Sequence, residues 1–183
     1  LSEQGYRPLL LERGLPAEER KKSVEHFWES GELDPECNVS FGEGGAGTFS
    51  DGKLNTMVKD SAGRSRKVLQ TFVRFGAPQD ILWEQKPHVG TDLLIGVVSG
   101  MRKEIEALGG EICFRKKADR LVLKDGHVSA LRTADGEEIP CEVLIAATGH
   151  SARDTFQSFF SDGVPMEAKA FAVGLRVQHS QRT

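Results

Sequence analysis

The sequence has no long hydrophobic run: its apolar stretches, such as Leu93 to Val98 and Val143 to Ala147, fall far short of the roughly 20 residues needed to cross a bilayer. It has little cysteine. Cys37, Cys113 and Cys141 lie far apart and form no Cys-x-x-Cys pair, which argues against a zinc site or redox dithiol and for reduced thiols in a cytoplasmic protein. It has no excess of positive charge, with 24 Lys and Arg against 27 Asp and Glu and a net charge of -3. Nucleic acid and anionic membranes are therefore not expected partners, because binding either needs a concentrated positive field. The 5 histidines are scattered, none with a second ligand at metal-binding spacing, so no metal is expected. The N-terminus lacks the order of a secretory signal, and the first residue is Leu1.

What is present is a soluble globular composition, with 38% hydrophobic and 28% charged residues over 183 positions, enough for one domain or slightly more. Residues 7–12, Arg-Pro-Leu-Leu-Leu-Glu, read as a buried parallel strand ending in an acid. Residues 16–30 then place Val24, Phe27 and Trp28 at helical spacing, with Gly31 as the stop. Residues 40–55 carry too much glycine for a regular element and read as a long loop. Two helices follow, one over 65–75 with Val68, Leu69, Phe72 and Val73 on a face, the other capped by Thr91 or Asp92, running to about Leu108 and ended by Gly109 and Gly110. From Glu111 the period changes to two. Ile112 and Phe114, Leu121 and Leu123, and Val128 to Leu131 predict three antiparallel strands, with turns at Asp125-Gly126 and Asp135-Gly136, feeding a buried strand over Val143 to Ala147. A helix over 151–160 and a strand over 171–177 complete the reading.

Residues 42–47, Gly-Glu-Gly-Gly-Ala-Gly, fit the letters of the dinucleotide fingerprint, but only Val39 to Phe41 precede them as strand and the following residues open a helix poorly. The overlapping 47–53 stretch matches a triphosphate loop, except that Leu54 stands where Ser or Thr should hold magnesium. Two readings stay open: backbone N–H groups with Thr48 and Ser50 converging on an anion or polar ring, or a tight surface loop without a ligand. Glu12 sits where nucleotide folds place a ribose-binding acid, or is simply a solvated strand end. Val143 to Gly149 reads as an apolar strand meeting Thr148-Gly149, where backbone can approach a ligand, or as a strand ending in a turn. His88 and His150, beside glycines in loops, are candidates for a catalytic base or donor, or merely fix their loops.

Residues 9–14 (Leu-Leu-Leu-Glu-Arg-Gly), 41–54 (Phe-Gly-Glu-Gly-Gly-Ala-Gly-Thr-Phe-Ser-Asp-Gly-Lys-Leu), 87–92 (Pro-His-Val-Gly-Thr-Asp), 148–155 (Thr-Gly-His-Ser-Ala-Arg-Asp-Thr) and 165–176 closely resemble a bacterial family of FAD-dependent dehydrogenases. The wider group looks like glutathione-reductase-type flavoproteins. The resemblance implies an α/β fold: a partial Rossmann-like FAD-binding domain over 1–154, with a helical insertion at about 60–90 and an antiparallel three-stranded meander, then the start of a second domain over 155–183. It implies FAD as cofactor, NAD(P)H as a candidate electron donor, and a small-molecule substrate. Glu12 would take the adenosine ribose with Arg13 beside it. Gly44, Gly45, Gly47, Thr48 and Ser50 would line the pyrophosphate and flavin side, Ala118 would lie in the segment reading adenine, and Thr148 and Gly149 would close over the cofactor.

The sequence departs from that pattern twice. The strand-turn-helix that carries the family's main glycine turn would lie before Leu1, and where the family continues Val-Glu-His-Pro-Gln after Arg176, this chain has Val177-Gln-His-Ser-Gln181. The expectation is an oxidoreductase whose 183 residues alone hold FAD weakly or not at all; the alternative is a non-catalytic nucleotide-binding or partner-binding module, or an inert fragment unable to hold FAD.

Overall fold

A computed structural model describes residues 1–50, 52–54, 60–84, 86–170, 174, 175 and 177. The protein is mixed α/β. After a short 3-10 turn at Ser2–Gln4, strand β1 (Leu9–Glu12) leads into α1 (Ala17–Ser30), a one-turn helix α2 (Gly45–Thr48), α3 (Arg64–Arg74), a second 3-10 turn (Gln79–Leu82) and α4 (Thr91–Ala107). Then come β2 (Glu111–Phe114), β3 (Ala118–Lys124), β4 (His127–Thr133), β5 (Glu138–Pro140) and α5 (Arg153–Ser161). β1 and β2 pair in parallel, Leu9 opposite Glu111 and Glu12 opposite Phe114, while β3, β4 and β5 form a separate antiparallel sheet.

The 3-stranded meander therefore exists, but it is built from β3 to β5 and not from the Glu111 strand. The Ile112 run instead returns after the helices to lie beside β1, a parallel pairing that only a long crossover permits. The hairpin turn falls at Asp125-Gly126 (φ 52° and 78°), the left-handed conformation that such a turn demands.

A second expectation is corrected outright. Val143 to Ala147 is not a strand, and Val143 and Ile145 are 82% and 66% exposed. An extended run needs a neighbouring strand for its ladder groups and a layer over its side chains, and among the described residues this run has neither. The strand expected over 171–177 falls largely on residues outside those described, and residues 174, 175 and 177 are not in a strand.

The main core lies between α3, α4 and the connection joining them. Ala77, Ile81, Val89, Leu94 and Val97 are buried together, with Leu69, Phe72 and Val73 of α3 packed against them. Val68, expected on that face, is half exposed. Burial of each such aliphatic side chain stabilises the fold by about 1.5–3 kcal/mol. α4 starts without a side-chain cap: Gly90 takes the N-cap position, while Thr91 Oγ1 donates to Ser50 O and Asp92 pairs with Lys21. On α1 the inward residues are Ala17, Arg20 and Val24, whereas Trp28, expected to be apolar-facing, is 61% exposed. The inward face of α1 is thus centred on a cation, and that cation shapes the site.

Candidate functional site

The parallel pair ends at Glu12, and the carboxyl end of such strands is where α/β folds present ligand sites. The Glu12 carboxylate binds its own protein first. Its Oε1 accepts from Gly14 N (2.8 Å) and from Gly42 N (3.0 Å), tying the strand end to the glycine-rich loop. The two backbones meet so closely that a Cβ on Gly14 would lie 2.5 Å from Gly42 Cα, which explains the glycine at position 14, while a Cβ on Gly42 would run into the Arg20 side chain.

Behind the loop, Arg20 is fully buried. Its Nε donates to Asn38 O (2.9 Å) and its Nη1 to Gly42 O (3.2 Å), Glu43 O (2.7 Å) and Gly45 O (2.8 Å), while the guanidinium lies 4.7 Å from the centroid of Phe49. Burial pulls this guanidinium below its usual pKa, against the opposing pull of Cys37, Glu12 and Glu43. Glu43 locks the loop from the other side. Its Oε2 accepts from Ala17 N (2.8 Å) at the start of α1, and its Oε1 accepts from Arg102 Nε (2.9 Å) of α4, which also grips Glu18. Within the loop, Thr48 Oγ1 donates to Gly44 O (2.9 Å) and Ser50 Oγ to Gly47 O (3.0 Å), so both expected hydroxyls serve loop carbonyls. A Cβ on Gly44 would run into Thr48 Oγ1, but one on Gly47 would meet nothing within 4 Å. Gly45, Ala46 and Gly47 face solvent.

The far end of the loop joins the segment before α4. Leu54 N donates to Pro87 O and Val89 N to Gly52 O, both at 2.9 Å, and Lys53 bridges to His88 in antiparallel fashion. His88 is exposed there, against the glycine loop.

Arg13, expected beside the ribose, pairs with the start of α5. Its guanidinium donates to both Asp154 oxygens (3.0 and 2.9 Å) and to Thr155 Oγ1 (2.8 Å) at the start of α5, and stacks 4.2 Å from the centroid of Phe41. Lys117 Nζ adds a second cation to Asp154 (2.7 Å) and also reaches Glu36 (2.8 Å). The Arg13 hydrogen bonds hold the Asp154 carboxyl well below the usual carboxylate range, with Lys117 reinforcing them. Through Asp154 and Thr155 the stretch carrying Thr148, Gly149 and His150 is anchored to the end of β1. Thr148 is half-buried there, and Gly149 (φ 74°) and His150 are exposed. Ala118 is the first residue of β3, opposite Thr133.

Glu12 is thus joined to the glycine loop, and the end of β1 to the start of α5, by specific polar contacts, whereas Ala118 pairs with Thr133 in the meander. Sequence reasoning missed the residues that link them: Arg20, Glu43, Arg102 and Asp154. Arg20 carried a usable signal, since Ala17, Arg20 and Val24 are spaced three and four apart, the pattern of a single helix face. Among the described residues no group of three or more His, Cys, Asp or Glu could hold a metal ion, and no helix is long and apolar enough to cross a membrane.

An acid and a glycine-rich loop joined at the carboxyl end of a parallel strand pair define a mixed α/β protein with a built loop site. No family profile matches the chain. A Clostridium beijerinckii protein described as "Uncharacterized protein" is 48% identical over 181 residues, covering 99% of this chain and 33% of that protein. The chain spans about a third of the length of this relative.

Proposed function

We propose that the chain is the nucleotide-holding part of an FAD-dependent oxidoreductase, a partial Rossmann-like domain over residues 1–154 followed by the start of a second domain. The observation that carries the reading is the Glu12 carboxylate at the end of a parallel strand, bound to Gly42 N of the glycine loop. That arrangement supports a dinucleotide because only one carboxylate oxygen is used to fix the loop, leaving Oε2 outside those bonds for a ribose hydroxyl. The glycines support it too: packing accounts for Gly14, Gly42 and Gly44, whereas the absence of a side chain at Gly47 is not required by any protein atom and leaves open backbone for a ligand.

In this reading Glu12 holds the adenosine ribose, the exposed backbone of Gly45 to Gly47 lies against the pyrophosphate and flavin side, Ala118 lies in the adenine segment, and Thr148 and Gly149 cover the cofactor. Arg13 acts through Asp154, positioning that cover. His88 and His150 are the candidates for moving a proton at the substrate. FAD supplies the electron chemistry when bound, and NAD(P)H is the candidate donor.

The test is FAD titration, followed by visible absorbance and flavin fluorescence, of this chain and of the longer C. beijerinckii relative. Saturable binding by the relative, with reduction by NADH or NADPH, is the expected result. Gly47→Ala should weaken FAD about tenfold or more while leaving stability within about 0.5 kcal/mol, since its methyl group enters open space. Binding without reduction would point to a nucleotide-binding module; absence of flavin binding by both proteins would sink the proposal.

A further inference from the structure

We infer that Arg20 is the positioning residue of this site: from behind the loop it gathers carbonyl oxygens inward and thereby holds the glycine-rich backbone in its ligand-receiving shape. The inference rests on the nucleotide reading for its ligand, but the loop geometry stands on its own. Four hydrogen bonds run from one buried side chain to the carbonyls of residues 38, 42, 43 and 45, so a single planar fork spans the entry and the middle of the loop. Gly42 has no room for any side chain because the Arg20 stem fills that space. The remaining nitrogen, Nη2, is buried and has no hydrogen-bond partner.

That orphan nitrogen decides between two roles. A buried donor left unsatisfied is unfavourable, and sequences normally supply a partner. Nη2 cannot touch a ligand outside, since it is sealed beneath the loop. Arg20 therefore acts through the loop, as a buried positive charge beneath exposed backbone at Gly45 to Gly47. The cation suits an anionic ligand in front of the loop, because the Arg20 charge is fully buried and weakly screened. The chemistry selected is a phosphorylated nucleotide, not a neutral ring alone.

Two variants separate the contributions. Arg20→Lys keeps the charge and loses the fork, and Arg20→Met loses both. If the competent loop falls to a tenth of the population, apparent affinity falls about tenfold, so about tenfold weaker FAD binding is expected for Lys and a larger loss for Met. Riboflavin, which lacks the pyrophosphate, should show little difference among the proteins. Hydrogen exchange over residues 38–49 provides a reading independent of any ligand: loop amides should lose protection in both variants while α4 amides keep theirs. If neither this chain nor the longer relative bound FAD, the nucleotide reading would fail, and loop exchange would still decide the role of Arg20. Unchanged loop protection in Arg20→Lys and Arg20→Met, or FAD affinity equal to wild type in both, would overturn the inference.

Discussion

Glu12 has two tasks, one structural and one proposed, and two substitutions pull them apart. Removing its carboxylate leaves Gly14 N and Gly42 N without their acceptor at a close backbone crossing. An orphaned, partly buried donor costs about 1–3 kcal/mol, so Glu12→Ala should lower the free energy of unfolding by about that amount in urea titration. Glu12→Gln keeps an amide oxygen for both donors and should lose less than half as much. FAD affinity should fall in both, and equal stability losses would show that the carboxylate does not tie strand to loop. The placement of this acid at the end of a parallel strand was legible from its position after Leu9 to Leu11. Its hydrogen bonds to the loop were not, because they depend on Gly42, 30 positions away.

At the scale of elements, the contact between β1 and α5 rests on charge. Asp154 is held below its ordinary pKa, first by Arg13 hydrogen bonds and then by Lys117. A carboxyl whose folded pKa is depressed adds stability above its unfolded pKa, about 4 for aspartate, and loses it as pH falls through the folded value. Stability should therefore decline below pH 4 in part through this residue. Asp154→Asn should flatten that acid limb and lower neutral-pH stability by about 1 kcal/mol, a figure kept small because the side chain is 46% exposed and solvent screens the pair. Thermal unfolding of both proteins from pH 3 to 7 checks it, and parallel acid limbs would refute the assignment. The helices were legible because caps and spacing are local: Gly31 stops α1 in the left-handed conformation, and Leu69, Phe72 and Val73 mark the buried face of α3. The partner of β2 was not legible. An alternating run such as Ile112 and Phe114 fits a meander or a parallel edge equally well, and only the crossover through α1 to α4 decides.

For the whole molecule, the apolar surface is unevenly distributed. Parallel strands are ordinarily buried on both faces, yet Leu9 and Leu10 of β1 are 43% and 38% exposed, and the Val143 to Ala147 run lies open with Val143 at 82%. β1 has a single strand neighbour among the described residues, so ladder groups and apolar side chains are available together, the combination that drives edge pairing. A net charge of -3 on 183 residues opposes association only weakly. The chain should therefore self-associate with rising concentration and bind a hydrophobic dye. Val143→Lys combined with Ile145→Glu should weaken association about tenfold or more, because burial of each parent side chain is worth about 1.5–3 kcal/mol at full effect. Sedimentation velocity across a hundredfold concentration range decides it. A monomer at every concentration, with no dye bound, would mean that the exposed run is covered in solution by an arrangement of the chain other than the one described.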